Sequence, residues 1–136
     1  MTAGVSAGGR EERVIAAYLA AQAAVGVALW VAWSSSGAAR SWFELAADRP
    51  SVMDAFVFAD LGAAVTGSAL SAWGFARAGR WAVPVVAFTA GALVYPTLWL
   101  VGWVSLEGTG ALGLAIMIPP SVLTSWIAWR AWRRLG

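Results

Sequence analysis

Residues 55–76 read AFVFADLGAAVTGSALSAWGFA, residues 77–81 read RAGRW, and residues 82–104 read AVPVVAFTAGALVYPTLWLVGWV. Each flanking run is apolar for about 20 residues, which as an α-helix crosses roughly 30 Å of hydrocarbon at 1.5 Å per residue. The segment between them has room only for a tight turn around Ala78-Gly79, so the two runs form an antiparallel helical hairpin. Similar runs lie on either side, at about 14–33 and 111–130.

The nine basic residues are all arginines, and their placement orients the four runs. Arg10 and Arg13 precede the first run, Arg77 and Arg80 follow the second, and Arg130, Arg133 and Arg134 end the fourth. Arg40 and Arg49 alone fall in the intervening gaps, and they share their loop with Glu44, Asp48 and Asp54. Basic residues collect on the cytoplasmic side of membrane helices. The expected fold is therefore all-α: an integral membrane four-helix bundle with both termini cytoplasmic, forming a single membrane domain over 1–136.

Composition narrows the chemistry. The chain has no His, Cys, Lys or Asn, and Gln22 is its one side-chain amide. No usual haem ligand, zinc site or thiol redox pair can be assembled, and no cofactor or metal is expected. Nucleophile–His pairs and lysine Schiff bases are excluded too, so no catalytic residue is assigned. A net charge of +2 with pI near 9.9 is explained by arginines flanking membrane helices, and nucleic acid is not an expected partner. Abundant Ala, Gly, Arg and Trp point to a GC-rich coding sequence, and a bacterial plasma membrane is the expected location.

The first run follows Arg10 and Arg13 as a signal peptide would, but it exceeds the usual apolar core of 7–15 residues. It is expected to remain as an uncleaved span, after a disordered stretch over 1–9. The loop 34–54 carries Arg40-Ser-Trp-Phe-Glu-Leu-Ala-Ala47, which reads as a short helix lying in the outer interface and stopped by Pro50. Ser51-Val-Met-Asp54 matches a capping pattern that starts the second span. Most of the ten tryptophans fall at span ends, as interfacial belts do; Trp99 lies about a turn inside.

Asp60 is the only ionisable residue well inside a span, about six residues or roughly 9 Å from its outer end. A carboxylate facing lipid there costs at least about 2.5 kcal/mol, so Asp60 is expected to face the bundle. At 100° per residue it shares a stripe with Ala64, Gly67, Ser71 and Gly74. Ala63, Gly67 and Ser71 form a small-xxx-small groove expected to pack another helix. Tyr18, Gln22 and Gly26 line one face of span one. Pro84, Phe88, Gly91, Tyr95 and Trp99 line one face of span three. Gly113, Met117, Ser121 and Thr124 line one face of span four. Pro96 and the pair Pro119-Pro120 remove backbone donors and are expected to kink their helices.

These residues suggest a small polar cavity open to the outside, with Asp60, Tyr95, Gln22, Trp99, Met117 and Ser121 as its ligand-binding walls. The plainer reading is that Tyr, Gln and Asp satisfy one another as interhelical hydrogen bonds, which average about 0.6 kcal/mol each. Three functions fit. The first is a non-catalytic accessory or hydrophobic-ligand-binding bundle; the second is a dimeric proton-coupled transporter centred on Asp60. The third is a membrane enzyme acting on a lipid or isoprenoid. Expected partners are the bilayer, a second copy or another membrane protein, and a hydrophobic small molecule.

Overall fold

The hairpin that joins the two central runs turns on a left-handed alanine. In a computed structural model, which describes residues 7–43, 45 and 51–134, Ala78 has φ of 50°. The Gly79 N–H donates to the Gly74 carbonyl at 2.9 Å and the Ala78 N–H to the Phe75 carbonyl at 3.1 Å. These are the two bonds of a Schellman cap, here with alanine in the position that favours glycine.

Among the described residues every regular element is helical: α1 Ala7–Ser35, α2 Gly37–Phe43, α3 Ser51–Ala59, a π-helical turn Asp60–Val65, α4 Thr66–Ala76, α5 Ala82–Glu107 and α6 Ala111–Trp132. The segments Gly9–Ser35, Met53–Ala76, Ala82–Glu107 and Ala111–Trp132 are each long and apolar enough to cross a membrane. Helix α1 begins at Ala7, earlier than expected, while residues 1–6 lie outside the described residues.

The loop helix is also displaced from its expected place. It spans Gly37–Phe43 because Ser36 starts it, its Oγ accepting the Ala39 N–H at 3.3 Å. Pro50, expected to stop a helix over 40–47, lies outside the described residues together with Glu44, Asp48 and Arg49. The prolines lie inside continuous helices: α5 runs on through Pro96 and α6 through Pro119 and Pro120. Each proline site is followed by a hydroxyl that bonds a carbonyl one turn back. Thr97 donates to the Leu93 carbonyl at 2.7 Å, and Ser121 reaches both the Met117 carbonyl at 2.8 Å and that of Leu93 at 3.1 Å. The two hydroxyls also bond each other at 2.6 Å, tying α5 to α6 beside the prolines.

Helix α1 packs on α4, α4 on α5, and α5 extensively on α6, whereas α1 and α6 meet sparingly. The α4–α5 approach depends on Gly67. A Cβ there would overlap the hydroxyl of Thr89 and stand 3.3 Å from its Cβ, and Thr89 is fully buried. The apolar core gathers towards the end bearing the termini, where Ile15, Ala16 and Leu19 of α1 share a cluster with Phe75, Val86, Ile127 and Ala131. Glu11 closes that end through ion pairs to Arg130 and Arg134.

The tryptophans at the termini end are exposed, and three of them are paired with arginines one helical turn on. Arg77 lies 4.4 Å over Trp73, Arg130 lies 5.0 Å over Trp126, and Arg133 lies 5.2 Å over Trp129. Each guanidinium thus covers an indole face that the helix leaves outward. Trp33, expected in the opposite belt, is instead only 4% exposed.

Candidate functional site

The split stripe of the second span builds the site. Within Asp60–Val65 the backbone takes i→i−5 bonding: the Thr66 N–H reaches the Leu61 carbonyl, and the Thr66 hydroxyl donates to the same oxygen at 2.6 Å. One extra residue per turn rotates what precedes it by about one position, or roughly 100°. Asp60 and Ala64 therefore align with Ser68 on a cavity wall, while Gly67 turns to α5 and Ser71 is fully buried. The single face expected to carry both acid and packing groove is two faces, and the π-helical turn is the cause.

The cavity measures about 420 Å³ and lies between α1 and α6, with the π-helical turn and α5 behind it. From α1 come Tyr18, Gln22, Val25, Gly26, Trp30 and Trp33; from α6 come Gly113, Ile116, Met117, Pro119, Pro120 and Leu123. Phe56, Asp60 and Val65 face them from the second span, and Leu93, Pro96 and Leu100 from α5. Gly26 allows the second span in close, because a Cβ there would meet Val65 at 2.7 Å. The lining is overwhelmingly apolar, not the polar cavity anticipated. Among the described residues Asp60 is its only charged member.

Both ends of the cavity are closed. At the termini end Gln22 is a hub: its carbonyl oxygen accepts from Tyr18 at 2.7 Å and from Thr124 at 3.0 Å, and its amide donates to Ser68 at 2.8 Å. Three helices are joined there, and the plainer reading of Gln22 as an interhelical bonding residue describes these contacts. At the other end Phe43 and Leu45 cover the cavity. The Leu45 carbonyl accepts the Thr109 hydroxyl at 2.7 Å, and Thr109 in turn accepts the Trp103 indole at 3.1 Å. Beyond Gln22 and Thr124 the walls of α1 and α6 part. Ala21 and Val25 on one side and Pro119 and Leu123 on the other line the cavity while remaining exposed. The opening is lateral, through the gap between α1 and α6, rather than out through the loop end.

Of the expected ligand-binding residues, Asp60, Gln22 and Met117 line the cavity. Tyr95 does not: it is 73% exposed, and Phe88 and Gly91 of the same stripe point outward with it. The opposite face of α5, with Thr89, Leu93, Pro96 and Thr97, is the buried one. Ser121 lies behind the cavity in its bond to Thr97. Trp99 stands in a second layer, 5.1 Å from the rings of both Phe56 and Trp103. Ala63 is half-buried beside the packed Gly67 and Ser71.

Trp30, Trp33, Phe56 and Tyr18 were not among the expected walls. The α1 stripe of Tyr18, Gln22 and Gly26 continues at helical spacing to Trp30 and Trp33, so extending it by two turns would have found both. Trp30 and Asp60 line the same cavity. Trp33 keeps its indole N–H buried without a partner, while its backbone carbonyl accepts from Arg40 at 3.0 Å. Among the described residues no three His, Cys, Asp or Glu side chains gather as a metal site. No protein-family model, curated protein or solved structure matches the chain.

Proposed function

We propose that this chain is a non-catalytic membrane bundle that holds a hydrophobic small molecule between α1 and α6. The observation carrying this reading is the laterally open, apolar cavity of about 420 Å³. That volume suits a small ligand, and a few polar groups in an apolar wall are the usual composition of such sites. Among the described residues a single carboxyl with no second acid or metal cluster beside it gives poor support to catalysis.

In this reading the chain sits in a bacterial plasma membrane with both termini inside, and α2 rests in the outer interface. A ligand dissolved in the bilayer would enter through the α1–α6 gap without crossing water. A second copy or another membrane protein is the expected partner, docked where outward residues such as Tyr95 and Phe88 offer apolar surface. The isolated carboxyl beside a π-helical turn favours one further reading, a dimeric proton-coupled carrier, because such turns recur at functional positions.

The test is mass spectrometry of small molecules extracted from protein purified in mild detergent. Gly113 lines the cavity and a Cβ there meets nothing within 4 Å, so Gly113→Phe fills the space without forcing the backbone. Gly91 is equally open but faces outward, and Gly91→Phe is the control. A molecule retained by wild type and Gly91→Phe and lost from Gly113→Phe supports the reading. Equal retention by all three proteins overturns it.

A further inference from the structure

The cavity carries one negative group and, among the described residues, no positive one. Arg40 is not part of the wall; its guanidinium lies 5.8 Å over the Trp33 ring and its Nε is committed to the Trp33 carbonyl. At the inner end of the lining Tyr18, Gln22 and Ser68 are already engaged, bonding one another and the Ala64 carbonyl. Among the described residues Asp60 is thus the one charged acceptor of the wall, and the spare donors beside it are the buried Trp33 indole N–H and one amide proton of Gln22. Around it stand aromatic rings: Trp30, Trp33, Phe43 and Phe56.

We propose that the occupant is a lipophilic monocation, a quaternary ammonium, phosphonium or bulky protonated amine with an apolar body, its charge against Asp60 and the surrounding aromatic faces. This rests on the reading of the cavity as a ligand site and names the class of ligand it takes. One carboxylate balances one positive charge, and a second would be left unpaired in an apolar cavity. A small hard cation is excluded by the donor set, because calcium or magnesium needs about six oxygens and this wall offers one free carboxyl. An anion meets Asp60 as a like charge. A soft, weakly hydrated cation loses little on leaving water and is attracted by the negative faces of indole and phenyl rings. Its apolar body fills the space lined by Val25, Ile116 and Leu123 and extends to the lateral gap.

The experiment compares three probes on purified protein in nanodiscs: tetraphenylphosphonium, tetraphenylborate, which has the same shape and the opposite charge, and an uncharged long-chain alcohol. Site binding is the part abolished by Gly113→Phe, read by tryptophan fluorescence and calorimetry, so that partition into lipid is subtracted. Wild type should bind tetraphenylphosphonium at least about tenfold more tightly than tetraphenylborate. Asp60→Glu should keep that preference, and Asp60→Asn should remove it while leaving the alcohol unaffected, with thermal stability confirming that both variants fold. If Asp60→Asn does not fold, the cation–anion comparison on wild type decides alone. Equal affinity for the two tetraphenyl ions overturns the cation assignment and leaves the hydrophobic-ligand reading standing if the alcohol still binds at the site. Binding of none of the three in a Gly113-sensitive manner overturns both.

Discussion

Replacing Gly67 by alanine adds one methyl group at the closest approach of α4 and α5. The new Cβ would overlap the Thr89 hydroxyl and lie 3.3 Å from its Cβ and 3.5 Å from its Cγ2. Thr89 cannot yield freely, because it is fully buried and its hydroxyl holds the Val85 carbonyl at 2.8 Å. Either the helices separate or Thr89 changes rotamer and gives up that bond. Overpacking of this kind costs about 1–3 kcal/mol, against a gain of roughly 0.5–1 kcal/mol for removing a glycine from a helix. The expected net loss is about 1–2 kcal/mol, measured by equilibrium unfolding in bicelles. Thr89→Ala removes the colliding oxygen, so the double variant should recover at least about 1 kcal/mol as a coupling energy. The solvent- or lipid-facing control, Ala69→Leu, should be tolerated. If Gly67→Ala is as stable as wild type or more so, α4 and α5 do not approach as closely as described.

Ala78 adopts φ of 50° at the hairpin cap, so Ala78→Gly should raise stability by about 1 kcal/mol in the same unfolding assay; a loss would show that this residue is not left-handed. Gln22→Leu removes three interhelical or intrahelical bonds at about 0.6 kcal/mol each, and a fall of roughly 2 kcal/mol is expected. No change in unfolding free energy would mean that the hub contributes nothing. Reporter fusions after Gly79 and Gly136 should signal the cytoplasm, and one at Ala47 the opposite side; a cytoplasmic Ala47 contradicts the four-span arrangement.

The four long helices were legible because length and hydropathy decide them: Ala82–Glu107 contains the expected 82–104, and Ala111–Trp132 contains 111–130. The half-burial of Asp60 was legible for the same reason, as a charge that lipid does not accommodate. Rotational detail was not. Tyr95 shares its stripe with Pro84 and Phe88, and a stripe of mixed aromatic and small residues looks inward whenever polarity is read as burial. For a helix long and apolar enough to cross a membrane that inference fails, because its outward face is apolar too and can carry a tyrosine. Thr89 and Thr97, which mark the buried face of α5, bond carbonyls of their own helix one turn back at 2.8 and 2.7 Å. A hydroxyl satisfied in that way carries no sequence signal of which direction it faces.

The π-helical turn was the least legible feature and has the largest consequence. Nothing in Asp60-Leu-Gly-Ala-Ala-Val65 announces it, since Gly62 sits in open space and needs no special backbone there. Its effect is to let one helix meet two conflicting demands. A regular α-helix would put Asp60 on the line of Ala64, Gly67 and Ser71, and so press the carboxyl into the tight α4–α5 contact where Thr89 admits not even a methyl group. The extra residue turns Asp60 towards α1 and α6 instead, where the bundle has parted and Trp30 shares the cavity wall. The close packing that consolidates the termini half and the open cavity of the other half are thus compatible on a single span only because the register slips between them. A variant lacking one residue in 61–65 would restore the regular repeat, and its cost should exceed that of any single substitution in the cavity wall, because acid and groove would then compete for one face.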